Sequence, residues 1–211
     1  MKKVKILLKQ HSYSYANNEY DFYSLSDIIN FYNSKMKIII LEEPLFIRLF
    51  QINKEVKKIA DFIEEKIKNV FPQNGDILYD YEVEKQEKLL AIYSIKGKKK
   101  IEKIILDAKE VKIIPIQFFM REVIVKRMKN KKLTCSVIFQ INKSYYFIYI
   151  KNGLITDNYI GCNIDEIINK IETQGLEKQV YIDDSISINT HASDTKFIKI
   201  NMKDYINEKL Y

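Results

Sequence analysis

Residues 133–161 read LTCSVIFQINKSYYFIYIKNGLITDNYIG, with three apolar segments at 133–141, 145–150 and 154–160. The turn signals Asn142-Lys143 and Asn152-Gly153 stand between them. A connection this short joins antiparallel strands, because a parallel pair needs a long crossover. Asn-Gly between apolar runs is also the residue pair that a type I′ turn favours, since both central positions need φ > 0. The stretch therefore predicts a three-stranded antiparallel meander. Asn163 then caps a helix over 164–173, which Gly175 closes.

The rest of the chain mixes strands and helices. Residues 3–9 predict a first strand, followed by the polar, tyrosine-rich HSYSYANNEYDFYS, which shows no clear period. Ser24 or Ser26 caps a helix running to about Tyr32. The continuous run MKIIIL at 36–41 predicts a buried strand, with LFIRLFQI at 45–52 as its hairpin partner across Glu42-Glu43-Pro44. Residues 53–70 predict a helix with Asn53 as N-cap and Val56, Ile59, Ala60, Ile63, Ile67 and Val70 as its apolar stripe. FPQNGD breaks it. Two strands follow at 77–83 and 88–95, then an amphipathic helix at 98–108, a short strand at 111–114 and a helix at 116–128. Strands at 179–183 and 196–200 and a terminal helix at 202–210 complete the order. Meanders at two places, without regular strand–helix alternation, give an α/β class of mixed α+β character. No internal repeat is visible.

The formal charge of +7 invites a nucleic-acid partner, but only Arg48, Arg121 and Arg127 among the 35 basic residues are arginine. Phosphate and base edges are read chiefly by the arginine fork, so the lysine excess reads as a bias of composition and no nucleic acid is expected. A basic nucleic-acid-binding module stays as the second alternative. No apolar run approaches the roughly 18 residues of a membrane helix. The amino terminus, MKKVKILLKQHS, is too short in its apolar part for a leader. A cytoplasmic location is the expectation, with Cys135 and Cys162 as reduced, packed thiols.

The five glycines, Gly75, Gly97, Gly153, Gly161 and Gly175, are widely separated, so no phosphate-cradling loop can be written with them. Tyr181-Ile182-Asp183-Asp184 resembles the paired-aspartate turn of reverse transcriptases, yet it reads as a strand ending in turn-forming aspartates. Asp183, Asp184, His191 and Asp194 share one loop without any metal-ligand spacing, and His11 has no evident partner. The densest basic run is KGKKKIEK at 96–103, opening a helix. Cations there oppose the helix dipole, a modest cost on a solvated face.

From residue 36 to 161 the layout resembles the PilM/GspL group, the actin-like cytoplasmic proteins of type IV pilus and type II secretion systems. The likeness is one of order. The strand pair KIIILEEPLFIRLFQI leads into the helix IADFIEEKIKNVFP, and the strand LLAIYSIKG stands where that group carries an AVPK-type segment. The segment KIEKIILDAKEVKIIPI then leads to the helix through Met120 and Arg121, and the meander ends in glycine before a helix. The resemblance implies a reduced actin-like (ribonuclease H-like) fold with two subdomains. Residues 1–129 would form the first half, with a small inserted subdomain at about 36–112. Residues 130–211 would form a shortened second half beginning with the three-stranded meander, with the NKK at 130–132 as the boundary.

ATP-binding members of that fold hold phosphates with Asp-x-Gly turns. Here the first strand runs KILLKQHS, and Phe139-Gln140-Ile141 stands at the second place. The resemblance thus implies a non-enzymatic scaffold without catalytic, cofactor-binding or metal residues. Its expected partners are the short cytoplasmic tails of inner-membrane assembly proteins and the assembly ATPase. It would associate peripherally with the inner face of the cytoplasmic membrane through them, with homodimerisation allowed. Arg48, Lys96, Lys98, Lys99 and Lys100 are the residues expected to meet a partner. The first alternative is a nucleotide-binding actin-like ATPase of the same systems.

Overall fold

The computed structural model describes residues 3–22, 31, 34–53, 56–73, 75–105, 108–174, 179–188 and 195–202. The chain divides into two compact units, Met1–Ile116 and Gln117–Tyr211, and the NKK at 130–132 falls inside the second.

The first unit is built on a sheet of five strands: β1 (Lys3–Leu8), β2 (Ser12–Tyr15), β3 (Asn18–Asp21), β4 (Lys35–Ile40) and β8 (Glu110–Pro115), in the order β3-β2-β1-β4-β8. β2 pairs antiparallel with both β1 and β3, whereas β4 pairs parallel with both β1 and β8. A strand enclosed by parallel neighbours is buried on both faces and needs side chains that are apolar in succession. The run Ile38-Ile39-Ile40-Leu41 supplies them, all at 1% exposure or less.

That enclosure explains one departure from the sequence reading. The expected hairpin between 36–41 and 45–52 does not form, because β1 and β8 already occupy both edges of β4. Leu41 N–H continues the ladder to the Leu8 carbonyl (2.7 Å), Glu42 turns the chain with φ 60°, and the next strand leaves for another sheet. The tyrosine-rich segment read as aperiodic is the β2–β3 hairpin, turning at Ala16 and Asn17, both at positive φ. Tyr13 stacks on its cross-strand neighbour Tyr20 with ring centroids 5.3 Å apart.

Between β4 and β8 the chain inserts a small subdomain, narrower than the expected 36–112 because β4 and β8 belong to the main sheet. It comprises β5 (Phe46–Gln51), α1 (Ile59–Val70), β6 (Ile77–Glu84), β7 (Leu89–Lys96) and α2 (Lys98–Ile104). Its sheet has the order β5-β7-β6, antiparallel throughout. α1 covers one face of it, where Ile63 and Phe71 pack with Leu90 and Ile92, ringed by Phe50, Phe62 and Tyr79.

The N-cap of α1 is Lys58, five residues after the expected Asn53 and without a side-chain bond; the Asn53 carbonyl accepts from Val56 N–H (3.3 Å). Of the expected stripe Ile63 alone is buried; Ile59 and Val70, at the helix ends, are exposed. α2 also ends before Ala108, closed by Ile105 N–H to the Ile101 carbonyl.

The second unit contains α3 (Ile116–Met128) apart from its first residue, then β9 (Cys135–Ile141), β10 (Ser144–Lys151), β11 (Leu154–Gly161), α4 (Ile164–Thr173), β12 (Gln179–Asp183) and β13 (Lys196–Ile200). The predicted meander is present. Asn152 and Gly153 both take positive φ, as a type I′ turn requires, and Asn163 caps α4 by accepting from Asp165 N–H. The sheet order is β11-β10-β9-β12-β13, with three antiparallel strands followed by two parallel ones.

Strand for strand this is the topology of the first unit, a repetition of architecture that the sequence conceals. The second unit thus carries five strands in the same order as the first. α4 packs Ile167 and Ile171 on Ile138, Phe147, Val180 and Ile182. The helix at Ser24, the Gly175 cap and the terminal helix at 202–210 fall on positions outside the described residues, Phe31 and Met202 excepted.

Candidate functional site

Two hairpin turns and one set of cations are the places where the sequence pointed to function. In the first unit the β1–β2 turn closes with Lys9 N–H on the Ser12 carbonyl (2.8 Å). Lys9 Nζ bonds Glu19 across the meander (2.8 Å), and the Ser12 hydroxyl donates to the same carboxylate. These bonds hold Glu19 below the usual carboxylate range. The turn therefore presents Lys9, Gln10 and His11, with neither the carboxylate nor the glycine of a phosphate-binding turn.

The corresponding turn of the second unit is β9–β10. Phe139 is fully buried and stacks on Tyr146 (5.0 Å, 4°), and Ile141 is buried beside the Asn142-Lys143 turn. A nucleotide–magnesium group needs oxygen donors and close approach of backbone at such turns. Neither set of residues fits it.

The five candidate partner-binding residues do not come together. Arg48 lies on β5 with its guanidinium 4.3 Å from the Phe46 ring centroid, beside Ile92 of β7. Lys96 is four residues further along β7, on the order of 13 Å away at strand spacing. Lys98, Lys99 and Lys100 form the first turn of α2.

Each lysine is used differently. Lys98 makes a long ion pair with Glu102 (3.9 Å). Lys99 is exposed, and its N–H donates to Asp76 Oδ1 (2.8 Å), so Asp76 caps the helix from a distance in sequence. Lys100 turns inward, donating to the Gln10 carbonyl of the β1–β2 turn (2.6 Å) and reaching Glu43 (3.8 Å). The Glu43 side chain is only 13% exposed, and burial pushes its carboxyl above the usual range against the pull of Lys100 and Lys96, with Asp76 adding to the rise. Glu43 and Asp76 were absent from the sequence-level site because their partners lie 57 and 23 residues away along the chain (100 − 43 and 99 − 76).

The remaining candidates resolve locally. Asp183 is buried at the end of β12, where it accepts from the Ser185 N–H (2.9 Å) and hydroxyl, an Asx turn as the sequence suggested. Asp184 is exposed, while His191 and Asp194 lie outside the described residues. Among the described residues no three His, Cys, Asp or Glu side chains gather as a metal site. Cys135 is buried and Cys162 exposed, with no disulfide between them. Also among the described residues, no helix is long and apolar enough to cross a membrane.

No protein-family model matches the chain, and no curated protein matches it in sequence. Solved structures match it in fold. A Bacteroides thetaiotaomicron protein of actin-like ATPase fold and unknown function aligns over 88% of this chain and 82% of its own, at 9% identity and a TM-score of 0.51. The cytoplasmic domain of EpsL, an inner-membrane component of the type II secretion system of Vibrio cholerae, aligns over 99% and 94%, at 6% identity and a TM-score of 0.53. A PilM–PilN type IV pilus biogenesis complex aligns over 67% and 47%, at 7% identity and a TM-score of 0.39.

The protein thus has an actin-like fold of mixed α+β class. The resemblance read from the sequence holds at the level of that fold.

Proposed function

We propose that the chain is a non-enzymatic scaffold of a type IV pilus or type II secretion assembly platform. It would sit at the inner face of the cytoplasmic membrane, hold the short cytoplasmic tails of inner-membrane assembly proteins, and contact the assembly ATPase. The observation that carries this reading is an actin-like double sheet, similar over nearly its whole length to the EpsL cytoplasmic domain, with Lys9-Gln10-His11 at its first hairpin turn and a buried Phe139 on the strand leading into the corresponding turn instead of phosphate-holding residues. A fold kept without its nucleotide chemistry is available for binding surfaces alone, since function resides in sites grafted on a fold.

The test has two arms. Calorimetric titration with magnesium-ATP is expected to give no saturable heat; clear binding would instead support the actin-like ATPase. Co-purification of the tagged protein from membranes of its own cells is expected to bring down a bitopic inner-membrane protein of a pilus or secretion system. Its recovery only in the soluble fraction, free of such a protein, would count against the scaffold.

A further inference from the structure

A strand at the edge of a sheet exposes unpaired N–H and C=O groups, and folded proteins guard such edges with charges, proline, bulges or brevity. Taken strand by strand, the described edges of this protein are guarded to different degrees. β3 is four residues long and carries Glu19 and Asp21. β8 ends in Pro115 and pairs Glu110 with Lys35 (2.5 Å). β11 has a register irregularity opposite Tyr149 and Ile150, and β13 carries Lys196 and Lys199. In the inserted sheet, β6 places Asp80, Glu82 and Glu84 at alternate positions, hence on one face.

β5 is the least guarded: its one such device is Arg48, whose guanidinium donates to the Ile47 carbonyl (3.4 Å). Its six residues, FIRLFQ, contain no proline, lysine or acid, and its pairing with β7 is regular throughout. Phe46 and Leu49 stand 40% and 41% exposed. The one charge, Arg48, lies over Phe46. Lys66, 6.0 Å from the Phe50 ring centroid, is ion-paired with Glu65 (3.0 Å), so Arg48 is the cation that β5 itself presents, whereas β6 presents carboxylates.

We propose that β5 is a docking strand, to which an extended segment of a partner protein, apolar at alternate positions and acidic between them, adds as a fourth strand. Backbone bonds to the open edge would supply affinity, Ile47 and Leu49 on one face the apolar contacts, and Arg48 on the other, beside Phe46, the choice of acidic over basic segments. The biological setting of this strand rests on the scaffold reading. A second copy is the poorer occupant. Two β5 edges would bring like-charged chains of +7 together. Pairing β5 with the β6 of another copy would be head-to-tail, an arrangement that need not close.

Residue-resolved amide hydrogen exchange on the full chain tests the proposal. The probes are an acetylated, amidated octapeptide alternating valine with threonine and glutamate, and its lysine-for-glutamate counterpart, each at millimolar concentration. The glutamate peptide should slow exchange within 46–51 several-fold and the lysine peptide should not. Arg48→Glu should reverse that preference. Leu49→Lys should abolish protection while leaving the thermal midpoint near that of the native protein.

Absence of protection at 46–51, equal protection by both peptides, or protection along 77–84 instead overturns it. So does concentration-dependent self-association in sedimentation that Leu49→Lys removes. A membrane partner missing from the co-purification removes the scaffold setting and leaves protection at β5 intact. Missing protection removes the docking strand and leaves the scaffold standing.

Discussion

Lys100 shows how differently neighbouring lysines of one run are used. Its ammonium bonds the Gln10 carbonyl and faces a Glu43 carboxylate that is largely withdrawn from water, so it ties the β1–β2 turn to the base of the insertion. Lys99, next in the chain, leaves its side chain in solvent. Lys100→Met should cost about 1–2 kcal/mol, the loss of a charged hydrogen bond together with one of the lysines that offset Glu43. Lys99→Met should stay within about 0.5 kcal/mol, as exposed substitutions do. Urea denaturation of both variants checks the pair, and equal effects would remove the structural role given to Lys100.

Glu43 gives a pH signature at the same place. Its folded carboxyl titrates above its unfolded value because burial disfavours the anion. A group shifted this way favours the fold fully below the unfolded value, and the advantage is lost as pH rises through the folded one. Glu43→Gln removes that penalty, so the variant should compare better with the native protein at pH 8 than at pH 4. Urea midpoints at both values measure it, and the opposite order would contradict the assigned shift. None of this was legible in the sequence. A carboxylate is recognised as buried only once the pairing partners, dozens of residues distant, have been brought beside it.

At the scale of elements, turn chemistry decided what could be read. Asn152-Gly153 announced its hairpin because the turn demands positive φ and the sequence supplies residues that take it. Gly153 has a further constraint. A Cβ at this position would lie 2.3 Å from the Lys131 carbonyl oxygen, and the backbone sits at φ 85°. Gly153→Ala should therefore destabilise by about 2 kcal/mol or more, from strain and steric displacement together. Gly75, with open space around its Cβ position, should cost less on the same change. Chemical denaturation separates the two, and equal losses would mean the Lys131 segment gives way.

The β2–β3 hairpin went unread for the converse reason. It turns at Ala16 and Asn17, a pair that carries little turn signal, and its strands are polar tyrosine repeats. β5 was recognised as a strand but assigned the wrong neighbour. Sequence proximity favours the preceding strand, whereas β4 had no open edge to offer.

At the scale of the molecule, the repeated order of three antiparallel and two parallel strands makes each unit complete in its sheet. In the second unit β9 is central to the sheet. α4 lies on the face of Ile138 and Phe147. α3 is tied to β11 by Gln117 to Asn158 (3.4 Å) and by Arg121 to the Gly153 carbonyl (3.2 Å), and to the end of β13 by Arg127 to the Asn201 carbonyl (2.6 Å). A domain of about a hundred residues buries enough surface to fold alone. Residues 117–211 expressed separately are thus expected to give dispersed amide resonances and one cooperative urea transition. A fragment that binds hydrophobic dyes and melts without cooperativity would show that the second half borrows its packing from the first. The first unit should not tolerate the equivalent cut after β4, because β8, the fifth strand of its sheet, arrives only after the whole insertion has been threaded. This asymmetry follows from topology, and the individual sequences of the two halves do not reveal it.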